Sequence, residues 1–157
     1  MKKILGVGPN SVRSSTALLL LRVGLGALML VHGLPKMAML FSDGPIAFPS
    51  VMGMTAEFSL VLTVLSEVIC SVFIIAGLGS RLAAIPLIIT MLVAVFVVHA
   101  ADSFANKELA ILYLLGYSVL AIAGSGKYSL DYLMLRSSFK SYHPEIKPED
   151  PTLSIYQ

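Results

Sequence analysis

The chain has 157 residues, enough for one compact domain, and 57% of them are hydrophobic whereas only 13% are charged. A soluble domain usually carries about 25% charged residues, so this composition excludes an ordinary water-soluble domain. The net charge of +2 and the lack of basic stretches alternating with aromatic residues argue against a nucleic-acid partner. The single cysteine, Cys70, excludes an internal disulfide and a dithiol redox pair within the chain.

Four apolar segments predict an all-α, four-helix transmembrane bundle. They span residues 14–34, 56–78, 82–99 and 109–123, and a helix needs roughly 20 residues to cross the hydrocarbon core. Pro35 is expected to end the first helix. The fourth segment is short unless residues 105–108 extend it. The first segment is interpreted as a retained span, because it is long for a signal peptide and no small-x-small cleavage site follows it.

The flanking residues divide the chain into three parts. Residues 1–13 are predicted to form a cytoplasmic N-terminal segment, residues 14–136 the membrane domain, and residues 137–157 a flexible cytoplasmic tail rich in proline and polar residues. Within the membrane domain, Ser129 is expected to cap a short helix that ends near Leu135 and lies in the membrane interface.

The distribution of lysine and arginine predicts the orientation. Two basic residues, Lys36 and Lys107, fall on one side of the bundle, and the other side has eight. The positive-inside rule therefore places both termini in the cytoplasm. The basic residues of the cytoplasmic side are Lys2, Lys3, Arg13, Arg81, Lys127, Arg136, Lys140 and Lys147.

Two ionisable residues, Arg22 and Glu67, lie inside apolar segments, where charge is costly and usually faces protein or water. At about 1.5 Å of rise per residue their depths match, so they are predicted to form a buried ion pair. The simplest interpretation is a structural pair that orients two helices. The alternative is that the pair belongs to a proton or ligand site.

A second set of hydrogen-bonding and titratable residues falls at the outer ends of the four segments. Such a set predicts a ligand pocket in which His32 and His99 are the candidate catalytic groups, covered by Phe41 and Phe48 of the first loop. The competing interpretation is that each group is solvated by water or headgroups. The spacing of these residues does not match a metal motif, so no metal site is predicted. The candidate ligand-binding residues are His32, Lys36, Glu57, His99, Asp102 and Tyr113.

Several stretches together resemble the DoxX family of small bacterial membrane proteins. They are LLLRVGLGALMLVHGLPKM (residues 19–37), Glu67, GLGSRLAA (77–84), FVVHAADSF (96–104) and GKYSLDYL (126–133). The resemblance covers about residues 17–133. It implies a four-helix membrane bundle in the bacterial cytoplasmic (inner) membrane and an association with membrane oxidoreductases, because the family is named after relatives similar to the membrane subunit of a thiosulfate:quinone oxidoreductase.

The leading functional hypothesis is a membrane subunit or accessory protein of a redox system that interacts with quinone. No haem or flavin signature is recognisable, so electrons would come from a soluble or membrane oxidoreductase partner. The alternatives are a non-enzymatic scaffold or assembly factor and a small transporter-like carrier. Whether the chain is itself an enzyme, and whether it forms a homo-oligomer in the lipid bilayer, stays open at this point.

Overall fold

The computed structural model describes residues 11–135, and within this range the chain forms helices and connecting turns without a strand. The long helices are α1 (Ser11–Leu40), α2 (Ala56–Ala76), α3 (Ser80–Val98) and α4 (Phe104–Ala123). A short helix, α5, covers residues 130–135. Each of the four long helices is long and apolar enough to cross a membrane. The predicted all-α fold with four spans is confirmed. The tail at 137–157 and most of the N-terminal segment lie outside the described residues.

Helix α1 was predicted to end at Pro35, but it continues to Leu40. A proline inside a helix removes one backbone hydrogen bond, a loss that neighbouring helices can offset in a membrane protein. Here Met37, Met39 and Leu40 pack against a buried apolar cluster on α2, and this burial favours the continued helix. The continuation also keeps Lys36 on the α1 helix rather than in a loop.

Helices α2 and α3 each contain a π-helical turn, over Leu65–Cys70 and Ala94–Val98 respectively. A π-helical turn inserts one residue into the helix and changes which side chains face inward, and such turns are frequent at functional sites. Helix α3 ends just before His99, as predicted to within one residue. Helix α4 begins at Phe104, so residues 105–108 do extend the fourth span.

The bundle core lies between the four long helices. Its fully buried members include Met29 of α1, Ile74 of α2, Leu87 of α3 and Tyr117 of α4. Helices α2 and α3 are antiparallel neighbours joined by a tight turn in which Gly77 and Gly79 have φ of 72° and 55°. Many large apolar side chains remain exposed outside this core, as expected of a bundle surrounded by lipid.

The buried Arg22 does not pair with Glu67, so the predicted ion pair is wrong. Its Nη2 instead donates a hydrogen bond of 2.5 Å to the carbonyl oxygen of Tyr128, and the Asp131 carboxylate attracts it electrostatically. A Cβ atom on Gly77 would overlap the guanidinium group. Matching depths did not predict the partner, because the long arginine side chain reaches toward the end of its helix, where the chain after α4 folds back.

The turn after α4 is fastened to the α2–α3 turn by Asp131. Its carboxylate oxygens accept hydrogen bonds from the Gly79 amide at 2.8 and 3.0 Å and from the Ser125 hydroxyl at 3.0 Å. Ser129 accepts a hydrogen bond from the Tyr132 amide at 3.2 Å, which confirms its predicted role as the cap of α5. We call the end of the bundle that carries these turns the basic end, because Arg13, Arg81 and Lys127 lie there. We call the opposite end the outer end, after the orientation predicted from the sequence.

Candidate functional site

A cavity of about 160 Å³ opens at the outer end of the bundle, and all four long helices or the turns that end them contribute to its walls. Of the six residues predicted to meet at this level, His32, Lys36, His99 and Tyr113 line the cavity. Glu67 joins them from the π-helical turn of α2, and Asn106 was not identified from the sequence. We call this space the outer cavity. Its polar lining residues are His32, Lys36, Glu67, His99, Asn106 and Tyr113.

Lys36 and Glu67 form the ion pair of the outer cavity. The Lys36 Nζ atom lies 2.5 and 2.7 Å from the two carboxylate oxygens of Glu67. The Glu67 side chain is only 4% exposed, whereas that of Lys36 is 30% exposed. Charge-assisted pairs of this kind are stronger than neutral hydrogen bonds. The pair therefore compensates a carboxylate buried at membrane depth and leaves the ammonium group accessible from the cavity.

Gly33 allows α1 to approach the π-helical turn closely enough for this pair to form. A Cβ atom at Gly33 would lie 2.8 Å from Val68 Cγ2 and 3.1 and 3.2 Å from the Cβ and carbonyl carbon of Glu67. Any side chain there would push α1 away from α2. Lys36 lies three residues further along the same helix, so the glycine sets the distance between the ammonium and the carboxylate.

The imidazole of His32 is held in place by an aromatic row. It meets the Tyr113 ring edge-to-face, with centroids 5.9 Å apart and an interplanar angle of 87°. Tyr113 stacks on Tyr117 at 6.0 Å and 13°, and Tyr117 is fully buried. Edge-to-face and offset-stacked contacts are the preferred geometries of aromatic pairs. His32 is itself exposed, and its ring is oriented by an aromatic row that begins in the buried core.

His99 follows the last turn of α3 and is oriented by Asp102. Its Nδ1 lies 2.7 Å from Asp102 Oδ2, and this hydrogen bond is the main reason that the pKa of Asp102 is lowered from its ordinary value. A carboxylate accepts the proton on Nδ1, so Nε2 is the nitrogen left for another partner. Asp102 does not line the outer cavity itself; it acts on the cavity through His99.

Glu57, which was predicted as a ligand-binding residue, is exposed and does not line the outer cavity. It lies in the first turn of α2, two residues after the capping residue Thr55. A carboxylate is stabilised there by the helix dipole and by water, so no partner inside the bundle is needed. The predicted cover is also wrong. Phe41 is 80% exposed, and Phe48 packs against the buried cluster of Leu60, Val64 and Val68 on α2.

The outer cavity can hold a small polar group. Water occupies about 30 Å³ per molecule in the liquid, so the volume corresponds to roughly five water molecules, less than the 300–1,000 Å³ of a pocket that encloses a whole ligand. The lining offers two imidazoles, a phenol, an amide and an ammonium–carboxylate pair. Such a set can donate hydrogen bonds to oxygen atoms and can exchange protons with them.

Comparison with known proteins places the chain in a family. The model of the DoxX family matches residues 17–100, a range that holds His32, Lys36, Glu67 and His99 but not Tyr113. An uncharacterized protein of Haemophilus influenzae (strain Rd) is 31% identical over 118 residues, which cover 71% of this chain and 85% of the relative. No solved structure matches the chain. The chain is an integral membrane protein and belongs to the DoxX family.

Proposed function

We propose that this membrane protein is a subunit or accessory protein of a bacterial redox system, and that the outer cavity receives the polar ring of a quinone. One observation carries the proposal: His32 of α1 and His99, which follows α3, line the same cavity together with Tyr113 and the Lys36–Glu67 pair. Isolated histidines at helix ends would instead point separately into the headgroup layer.

The chemistry of a quinone suits this lining. A quinone presents two carbonyl oxygens that accept hydrogen bonds, and its two-electron reduction to a quinol takes up two protons. The imidazoles and the Tyr113 hydroxyl supply donors, and the Lys36–Glu67 pair can exchange protons with them. The cavity volume suits the ring alone, so the apolar tail would leave through the open side into the lipid. The two electrons would come from an oxidoreductase partner.

The competing proposal is a scaffold in which the polar groups only fasten helices together. The Lys36–Glu67 pair favours it, because that pair joins α1 to α2 whether or not a ligand binds. The two proposals differ in what they expect of the histidines. The His32 ring contacts Tyr113 of α4, and His99 is hydrogen-bonded to Asp102 in the loop after α3. Neither histidine forms an ion pair or hydrogen bond between long helices within the described chain, so a scaffold does not need the hydrogen-bonding atoms of the two imidazoles, whereas a quinone site depends on both.

Quinone content after purification in mild detergent tests the proposal. The wild-type protein should retain quinone, measured by liquid chromatography and mass spectrometry. His32→Ala and His99→Ala should each retain about five- to tenfold less, as expected for the loss of one ligand hydrogen bond. His143→Ala, the third histidine of the chain, is the matched control. If the histidine variants fold correctly and all retain wild-type amounts of quinone, the quinone site is contradicted and the scaffold proposal stands.

We further propose that the protein lies in the bacterial inner membrane with both termini in the cytoplasm. Arg13, Arg81 and Lys127 lie at the basic end, which supports a cytoplasmic position for that end. Single cysteines in a Cys70→Ser background test it. A membrane-impermeant maleimide added to cells with a permeable outer membrane should label Gly44→Cys but not Tyr128→Cys. The reverse pattern would invert the topology.

A further inference from the structure

A second, larger space opens at the basic end of the bundle. This groove, of about 740 Å³, runs between the start of α3 and the loop that follows α4. Its walls come from Gly79 and the first residues of α3, from the Gly124–Gly126 loop and from α5. The outer cavity shares no lining residue with it. We call this space the basic groove.

Arg81 gives the basic groove an uncompensated positive charge. It is exposed on the first turn of α3, and its guanidinium passes over Gly124, where a Cβ atom would lie 3.0 Å from Nε. It forms no ion pair within the described chain. The carboxylate that also lines the groove, Asp131, is held by the Gly79 amide and the Ser125 hydroxyl and is attracted by the buried Arg22. Arg81 is therefore available to an anion from outside.

Ser80 supplies an independent indication of a missing partner. It lines the basic groove, is 1% exposed, and its hydroxyl has no hydrogen-bond partner among the described residues. A buried hydroxyl without a partner is costly. An anion oxygen in the groove would accept its hydrogen bond, so Arg81 and Ser80 together favour an oxyanion such as a phosphate.

The borders of the basic groove are apolar. Leu82 and Leu135 line it and are 75% and 70% exposed, and Met134 beside them is also exposed. A free phosphate makes no use of such surfaces, whereas the acyl chains of a lipid cover them. Basic pockets between membrane helices on the cytoplasmic side are typical binding sites for anionic lipid headgroups.

We infer that the basic groove binds an anionic phospholipid, with the phosphate against Arg81 and Ser80 and the acyl chains along Leu82, Met134 and Leu135. The bound lipid would tie the α2–α3 turn to the loop after α4. It would thereby stabilise the same end of the bundle that Arg22 and Asp131 fasten from inside. This inference does not depend on the quinone proposal, because the two spaces lie at opposite ends of the bundle.

Native mass spectrometry of the full chain with phosphatidylglycerol or phosphatidylcholine tests the inference. The wild type should retain phosphatidylglycerol in preference to phosphatidylcholine. Arg81→Gln should lower the retention of phosphatidylglycerol about fivefold or more, as expected when one basic residue no longer attracts an anionic lipid. Arg81→Lys should keep most of it. Arg13→Gln is the matched control, because Arg13 is exposed at the same end but outside the groove, and it should retain wild-type amounts.

A second pair of variants guards against a folding defect in Arg81→Gln. Leu135→Glu places a negative charge at the rim and should expel phosphatidylglycerol, whereas Leu135→Gln should lower its retention less. Equal retention by wild type and Arg81→Gln, equal losses in Arg81→Gln and Arg13→Gln, or equal retention of both lipids would overturn the inference. Displacement of phosphatidylglycerol by millimolar inorganic phosphate would also overturn it, in favour of a free-anion site.

Discussion

Breaking the Lys36–Glu67 pair should lower the free energy of unfolding by more when Lys36 is replaced than when Glu67 is replaced. In Lys36→Met the Glu67 carboxylate, 4% exposed, is left without a partner. Removing one member of a fully buried pair costs about 3–5 kcal/mol, and the partial exposure of Lys36 places this case near the lower end, about 3 kcal/mol. In Glu67→Gln the ammonium can turn toward water at the outer end, so the loss should be about 1 kcal/mol.

The double variant should cost less than the two single losses together, because neither charge is then left alone. A loss of about 2 kcal/mol for the double variant corresponds to a coupling of about 2 kcal/mol. Reversible unfolding in mixed micelles of mild detergent and sodium dodecyl sulfate measures these free energies. The control is the cycle of Arg22→Met with Glu67→Gln, which should show coupling below about 0.5 kcal/mol, as is usual for residues that share no contact. Additive losses for Lys36 and Glu67, or strong coupling for Arg22 and Glu67, would refute the assigned pairing.

Three other predictions test single features. Gly33→Ala should lower the free energy of unfolding by about 1–3 kcal/mol because it overpacks the contact with α2. Gly24→Ala, whose Cβ would meet nothing within 4 Å, should be neutral or slightly stabilising. The same unfolding assay compares the two variants, and equal losses would contradict the close approach of α1 to α2. Asp131→Ala should speed proteolysis of the chain after α4, because it removes the hydrogen bonds from the Gly79 amide. Asp43→Ala, at an exposed position, should not. Unchanged cleavage in Asp131→Ala would show that the carboxylate is dispensable. The His99 hydrogen bond lowers the pKa of Asp102, so the contact should persist as the pH falls through about 3.9, the ordinary aspartate value, and be lost only below that. An NMR titration should show that the Asp102 midpoint rises in His99→Ala. An unchanged midpoint would exclude that contact.

The sequence predicted the helices well because long apolar stretches have few alternatives in a membrane. It also predicted that His32 and His99 meet at one level, because α1 and α3 run in the same direction and both residues lie near outer ends. Asn106 was not predicted as a site residue, although it lies seven residues, two helical turns, before Tyr113 on α4 and so shares its face. That spacing is the signal that could have identified it.

The errors arose where tertiary packing overrides local rules. Pro35 predicted a helix end, but apolar residues beyond it find a partner surface on α2. That continuation supplied Glu67 with a nearer cation than Arg22. The π-helical turn around Glu67 could not be predicted, because one inserted residue leaves no mark on composition or hydropathy. Arg22 was assigned to the wrong partner because the fold-back after α4, which provides the Tyr128 carbonyl, is not apparent from helical spacing.

Photoaffinity labelling with an azido-quinone tests the central claim, a quinone site in the outer cavity, most directly. The proposal predicts that labelled peptides map to the α1 segment around His32 and to the α4 segment around Tyr113. It also predicts that unlabelled quinone competes and that His32→Ala lowers the yield. Label spread evenly over the lipid-facing helix surfaces, or unchanged in His32→Ala, would contradict it.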